Sequence, residues 1–524
     1  MAAVQRLNGF SLGLLLAAFA VGNGAPAFAE IRAPSKKGLR TEVNGLRGGR
    51  CSEGVCRIGG GINAGKNTFH RFKKFDTRGA IQRVEFETGG QRNIVVGVTS
   101  AKGTWLDKAM TFSSKANLYW LSPGGIYLGE GASFINVPKL SLSTANQLHF
   151  AKGLFDAFRS KSSNLKDFTT NPLPGVFGMR RSEVKEPVML TAGQLPGIHL
   201  NGINISLDKE LLVDAPGGRL DVVDSRVVVG MDEVGGRIAL TGEEINVSGK
   251  SDLNVSGTKA GGLIEVGGSW QNSDRSVRQA VTTNIDSGVS LNASATERGD
   301  AGEIVVWSDI DNLNSKTTVS GMLSASGGSE GGTGGGIETS GFALDVSGIV
   351  VDVTAYGNDN AGIWLLDPFD YTVGSTEAAA ISTALEAGNN VTISTQNSSY
   401  SAGSTFNGTS GGGTITVDEE INVDSGSGGD LTFIADQDIQ INAPIISDGT
   451  ASDKELKLTS KTGVAINSVS GSSTGRLDWN PGSSSKVYVT ASDSGGLTGA
   501  GSVVLNQGTD LNLDQAGDTI FSGV

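Results

Sequence analysis

From about residue 200 onward, apolar and polar residues alternate for three to five positions, stop at a small-residue corner, and start again. "LLVDAPGGRLDVV" (211–223), "VVVGMDEVGGRIALTG" (227–242) and "DLNVSGTKAGGLIEVGG" (252–268) show the pattern, and "SLNASATERGDAGEIVVWS" (290–308) and "VVDVTAYGNDNAGIWLLD" (350–367) continue it. A period of two predicts strands with one face inward and one outward. Strands this short do not make a stable sheet alone. Wound into coils, each pairs with its counterpart one turn above and below, and the apolar faces merge into one core. The pattern therefore predicts an all-β parallel β-helix, a solenoid with short insertions outside the coil. A β-sandwich with Gly-rich loops is the competing architecture.

The corner glycines Gly218, Gly236, Gly262, Gly302, Gly335 and Gly362 are separated by 18, 26, 40, 33 and 27 residues, and the 40 reads as two coils. Such corners need positive φ or a close approach of two backbones, and glycine supplies both. At roughly 20–25 residues per coil and about 4.8 Å per layer, the predicted rod is on the order of 100 Å long. One segment departs from the alternation. "TEAAAISTALEAG" (376–388) predicts a short helix with Thr376 as N-cap, Ile381 and Leu385 one turn apart and Gly388 as the stop. It is expected to pack on the side of the coil. Nearer the N-terminus, "NLYWLSPGGIYLGEGASF" (117–134) reads as two strands of early coils, with Ser122-Pro123-Gly124-Gly125 as the corner between them.

Composition sharpens this picture. The chain has 77 Gly, 12 Pro and only 3 His among 524 residues, and 38% of it is hydrophobic, enough to repay ordering. A net charge of −13 makes nucleic acid an unsuitable partner. Residues 1–29 have the form of a signal peptide: Arg6, an apolar run from Phe10 to Val21, and Ala27-Phe28-Ala29 before Glu30. That apolar run is short for a bilayer span and no later one approaches 18 residues, so no membrane span is expected. Export makes a local disulfide the first reading of Cys51 and Cys56 in "GGRCSEGVCRIGGG"; a zinc site lacks its second ligand pair.

"GKNTFHRFKKFDTRG" (65–79), "RNIVVGVTS" (92–100) and "NLYWLSPGGIYLGEGASF" resemble the secretion domain of filamentous-haemagglutinin-like exoproteins, the passengers of two-partner secretion. Their usual motif is close to N-L-F-L-I-N-P-N-G-I. Asn117, Leu118, Pro123, Gly125 and Ile126 match it, Tyr119 replaces its aromatic, and Ser122 and Gly124 replace its two later asparagines. "GGTGGGIETSGFALDVSG", "AGIWLLDPFDYTVG" and "GDAGEIVVWSD" are similar to segments that these large exoproteins carry further along. The resemblance covers about 38–150 and 260–375. It implies a right-handed β-helix, a cognate outer-membrane transporter, and a role for the five matching residues in recognition by that pore. It also divides the chain into signal peptide (1–29), secretion domain (30–180) and β-helical passenger (181–524). "GDTIFSGV" at the end is similar to the start of another repeat, so the passenger is expected to continue.

The leading functional expectation is a non-enzymatic, exported adhesin-like rod. It would reach the cell surface or medium of a diderm bacterium through the periplasm, and bind a glycan or protein on a host or neighbouring cell. The residues imply no cofactor, no metal site and no catalytic set: His70, His149 and His199 are scattered, and no glycine cluster is a phosphate loop. Acidic corners such as "GNDNAG" (357–362) are weak calcium candidates. The rival is a β-helical carbohydrate-active enzyme, which needs converging charged side chains. Asp345, Asp367 and Asp370 are the nearest candidates for that convergence.

Overall fold

A computed structural model describes residues 29–36, 38–174, 178–180, 196–356, 360–396, 412–423, 428–447, 454–467, 475–479, 486–491, 497–498, 502–504 and 510–515. The signal-peptide expectation falls on residues outside this set, apart from Ala29.

The backbone is a parallel β-solenoid with three faces. Face one starts at Asn67–Phe72 and passes through Asn93–Val98, Asn117–Leu121 and Lys139–Ser143. It continues rung upon rung to Asp510–Gln515, with every pairing parallel. The register stacks like on like. Ile94, Leu118, Leu140, Leu211, Ile238 and Ile264 lie over one another, all at most 1% exposed. One apolar cluster joins Ile31 at the front to Val489 at the back, which a stack of separate lobes would not produce.

The rungs from Asn67 to Gln515 span on the order of 70 Å at about 4.8 Å each, shorter than the expected rod. The reason is that insertions take chain out of the coil. Leu263 pairs directly with Glu303, so the 40-residue interval between Gly262 and Gly302 is one coil and not two; residues 267–281 leave it as a loop. The corner glycines are there for closeness. A Cβ on Gly262, Gly302, Gly335 or Gly362 would lie 1.8–2.1 Å from the carbonyl oxygen of the glycine one rung before, and none of the four has positive φ. Backbone contact between layers, not left-handed geometry, excludes other residues here.

The first rung is covered on all three faces. Ile62–Ala64 pairs antiparallel with Asn67–Phe72, Ile31–Arg32 antiparallel with Lys74–Asp76, and Gly54–Gly60 lies along Ile81–Phe86. Thr41–Val43 then closes that third edge antiparallel. Open strand edges invite further strands, so this cap terminates the stack. Cys51 and Cys56 form a disulfide inside it, both buried.

The helix spans Ser375–Glu386, with Gly374 at the N-cap position; Thr376 is already inside it and bonds Glu377. Ile381 and Leu385 are fully buried, and Gly388 ends the helix at φ +90°. It does not sit on the side of the coil. It replaces the third-face strand: Val350–Asp352 ends one third-face sheet and Ile421–Val423 begins the next, with the helix between them contributing Ala378, Ile381, Ala384 and Leu385 to the main core. Face two also breaks here, between Ala343–Asp345 and Tyr371–Val373, while face one runs through.

Candidate functional surface

The segment from 117 to 128 folds as two strands and a corner. Asn117–Leu121 lies on face one and Ile126–Leu128 on face two. The Gly125 N–H donates to the Ser122 carbonyl, and the Ser122 hydroxyl donates to the Gly125 carbonyl at 2.8 Å. The Thr104 hydroxyl donates to Ser122 Oγ and accepts from Trp120 Nε1, so the buried side-chain hydroxyls and the indole N–H at this corner are all paired. Gly125 has φ +108°, and a Cβ on Gly124 would lie 2.2 Å from the Ser100 carbonyl. Ser122 replaces an asparagine of the related motif, and its hydroxyl holds the turn.

The structure spreads the five matching residues along one strand, its corner and the start of the next, and buries most of them. Leu118 and Ile126 are fully buried in the core, and Pro123 and Gly125 are buried in the corner. Asn117 is half-buried and ends an amide ladder: its Nδ2 donates to Asn93 Oδ1, and Asn93 Nδ2 to Asn67 Oδ1. Asn67 Nδ2 in turn donates to the carbonyls of Phe168 and Thr170.

Those last residues belong to an insertion between Ser143 and Ile198, whose described residues, 144–174, 178–180 and 196–197, include a layer across the outer side of face one. Gln147–Phe150 pairs antiparallel with Gly153–Asp156 and Met179–Arg180. Phe150, Phe155 and Phe168 pack on Phe69, Val95, Leu121 and Leu212, making a second core outside the solenoid. Arg71 reaches up into it, donating to the carbonyls of Ala157, Asp156 and Ser160. Burial lowers its pKa to about 10, with Asp156 opposing. The neighbouring His70 points the other way. It is fully buried beside Phe72 and Phe86, neither ring nitrogen has a partner, and burial holds its pKa down at about 4.

Face two of the same region carries an outward aromatic ladder that the sequence reading missed. Arg78 caps Trp105 at 3.9 Å, Trp105 stacks on Tyr127 at 4.0 Å, and Tyr127 on His199 at 5.0 Å. His199 Nδ1 is 2.9 Å from Asp221. These residues are 22 to 72 positions apart in sequence, from Trp105 to Tyr127 and from Tyr127 to His199, and only the coil register aligns them.

The acidic candidates do not converge. Asp345 pairs with Lys316 at 3.5 Å, and Asp370 accepts the backbone N–H groups of Gly413 and Thr414. Asp367 lies in the strand Ile363–Pro368. Its neighbour is Glu338, one rung before. Both are buried, and each carboxyl is pushed up to about 8, by burial first and for Glu338 also by the charge of Asp367. Glu338 and Asp367 come from "IETSG" and "WLLDP", 29 residues apart, and nothing in either string announces their meeting. Of "GNDNAG", residues 357–359 lie outside the described set. Among the described residues no group of three His, Cys, Asp or Glu side chains could hold a metal, and no helix is long and apolar enough to cross a membrane.

With this geometry established, the comparisons fall into place. Residues 52–287 match the family described as the TPS secretion domain. That match covers a little under half of the chain and supports a two-partner-secretion exoprotein, a class that implies a cognate outer-membrane transporter and passage out through the outer membrane of a Gram-negative bacterium. The crystal structure of the HMW1 secretion domain from Haemophilus influenzae aligns at 17% identity, covering 60% of this chain and 94% of that one, with a TM-score of 0.28. At that score the two backbones superpose only loosely. No curated protein matches the chain.

Proposed function

We propose that the exported chain is a non-enzymatic, adhesin-like rod of the filamentous-haemagglutinin type, which binds a glycan or protein on another cell through the outer faces of its solenoid. One observation carries this reading: the rod goes on where the family match stops at Ser287, because face one passes from Leu263–Val266 directly to Glu303–Trp307 and on to Asp510–Gln515. What is exported with the domain is more rod, and a rod offers surface. The carbohydrate-active alternative has less support, since Asp345, Asp367 and Asp370 each have different partners.

The division at about residue 180 belongs to the same proposal, as does cleavage of 1–29 and transit of the periplasm. So does recognition of Asn117, Leu118, Pro123, Gly125 and Ile126 by the pore. Because the last four are buried once folded, the pore reads them in an extended chain, and the corner then closes outside. The test is expression with and without a transporter of this class, followed by attachment of the purified product to cells and incubation with polysaccharides. Transporter-dependent release and saturable attachment without turnover are expected. Release that does not need the transporter, or polysaccharide cleavage, overturns the reading.

A further inference from the structure

Midway along the rod, a groove of about 570 Å³ opens on the outer side of face one. Its floor is the glycine column Gly302, Gly335 and Gly362, bare backbone over three rungs. One wall is the indole of Trp270, which is half-buried and sits so close over Gly336 that a Cβ there would lie 2.8 Å from the ring. Thr392, Thr432 and Asp430 line the far end of the groove, on later rungs, and Glu303 lies one rung before Gly336. Thr392 and Thr432 are paired across adjacent rungs, so their hydroxyls follow one another at the layer spacing.

Trp270 is placed with care. It belongs to the loop 267–281, where the next two residues, Gln271 and Asn272, both take left-handed backbone at φ 43° and 49°, a region side chains seldom adopt. The Gln271 N–H donates at 2.8 Å to the buried carboxyl of Glu338, and the Asp274 N–H donates to Ser269 Oγ across the loop. Beneath it, Val305, Trp307 and Ile310 form an apolar pad. The indole stands at one side of a floor of bare backbone, with Thr392 two rungs and Thr432 three rungs beyond Gly336. The polar rim of the groove supplies hydroxyls and carboxylates and no cation, so an anionic ligand is repelled. An uncharged sugar fits both halves: its C–H face packs against the aromatic ring and its hydroxyls meet the polar rim.

We propose that the Trp270 groove is a binding site for an uncharged saccharide chain, with Trp270 as the stacking platform and Thr392, Thr432 and Asp430 as the polar rim. This deepens the adhesin reading and rests on it. The test uses calorimetry of the full chain with neutral tetra- to hexasaccharides of glucose, mannose, galactose and N-acetylglucosamine, and heparin as the anionic comparator. At least one neutral probe is expected to bind. Trp270→Ala should weaken it at least ten-fold, Trp270→Phe less, and Thr392→Val several-fold; Met322→Ala, exposed on face three, should change nothing. If Trp270→Ala does not fold, Thr392→Val at the far rim carries the test. Binding of no neutral probe, of heparin alone, or equally by Trp270→Ala and Thr392→Val overturns the site. Cell attachment that persists in those variants overturns the groove and leaves the adhesin reading standing; a wild-type chain that binds a probe but no cell does the reverse.

Discussion

The front and the back of this rod use the same coil and bury it differently. At the front, Asn67–Phe72 and Asn93–Val98 are buried at every position, because the insertion covers their outer side. At the back, Leu431–Ala435 and Glu455–Ser460 alternate buried and half-exposed, the signature of a strand with one wet face. The front core is dominated by Phe72, Phe75, Phe86, Phe112 and Trp120, whereas the back is built of Val, Ile and Leu with Phe433 and Trp479 as exceptions. A solenoid needs only one inner core to stand. The front adds an outer core, a cap and a disulfide, which suits the end that must begin folding without a preceding rung to template it.

The sharpest way to break this contrast is on the outer side of face one. Phe155→Ala, in the outer core, should cost about 3–5 kcal/mol by chemical denaturation, while Thr459→Ala on the outer side of a back rung should stay within about 0.5 kcal/mol. Equal costs would erase the distinction.

Changes of pH should act with opposite sign on two parts of the rod. His70 has its folded pKa depressed to about 4 from 6.5, so the unfolded chain binds the proton more readily between those values. Stability therefore falls as pH drops from about 6.5 to about 4, by about 3 kcal/mol in all, and His70→Leu should flatten that limb. Glu338 and Asp367 have their folded pKa raised to about 8, so the folded state holds their protons. Their contribution is complete below about pH 4 and is lost as pH rises through 8. That loss runs from about pH 4.5 to about 8, opposing the His70 effect below 6.5, so Glu338→Gln should flatten the fall in stability between about pH 6.5 and 8, where His70 no longer contributes. Hydrogen exchange followed against pH separates the two regions.

Smaller effects sharpen the comparison. Replacing Cys51 and Cys56 by Ser opens a short loop in the cap and should cost about 2 kcal/mol, read as a lowered melting temperature of the front alone. Asn93→Ala removes the fully buried middle of an amide ladder that ties rungs to the insertion, and should cost about 1 kcal/mol or somewhat more. Asn467→Ala, in a half-exposed ladder with Asn442, should cost less.

The same contrast explains what could be read from the residues. Alternation marked the back rungs clearly, and glycine spacing marked their corners, since both follow from local geometry. Segment 92–100 shows no alternation because both its sides are covered, and only its likeness to a secretion motif placed it. The helix was visible in its own residues, but its position in the coil depends on which strands lie before and after it. Trp105, Tyr127 and His199 give no local signal, and neither do Glu338 with Asp367 or Trp270 with Thr392. These sets meet through register alone, and register depends on how much chain each insertion removes.

Continuity of the stack past the secretion domain is the central claim, and a cysteine pair tests it directly. Asn284 and Thr318 face outward and pair in parallel register on face two, on either side of Ser287. Rungs about 4.8 Å apart lie within disulfide reach. Asn284→Cys with Thr318→Cys should oxidise to an intramolecular bond located by mass spectrometry, while Asn284→Cys with Val319→Cys, whose side chains point to opposite sides, should not. Failure of the first pair, or preference for the second, would contradict a solenoid that runs unbroken from one region into the other.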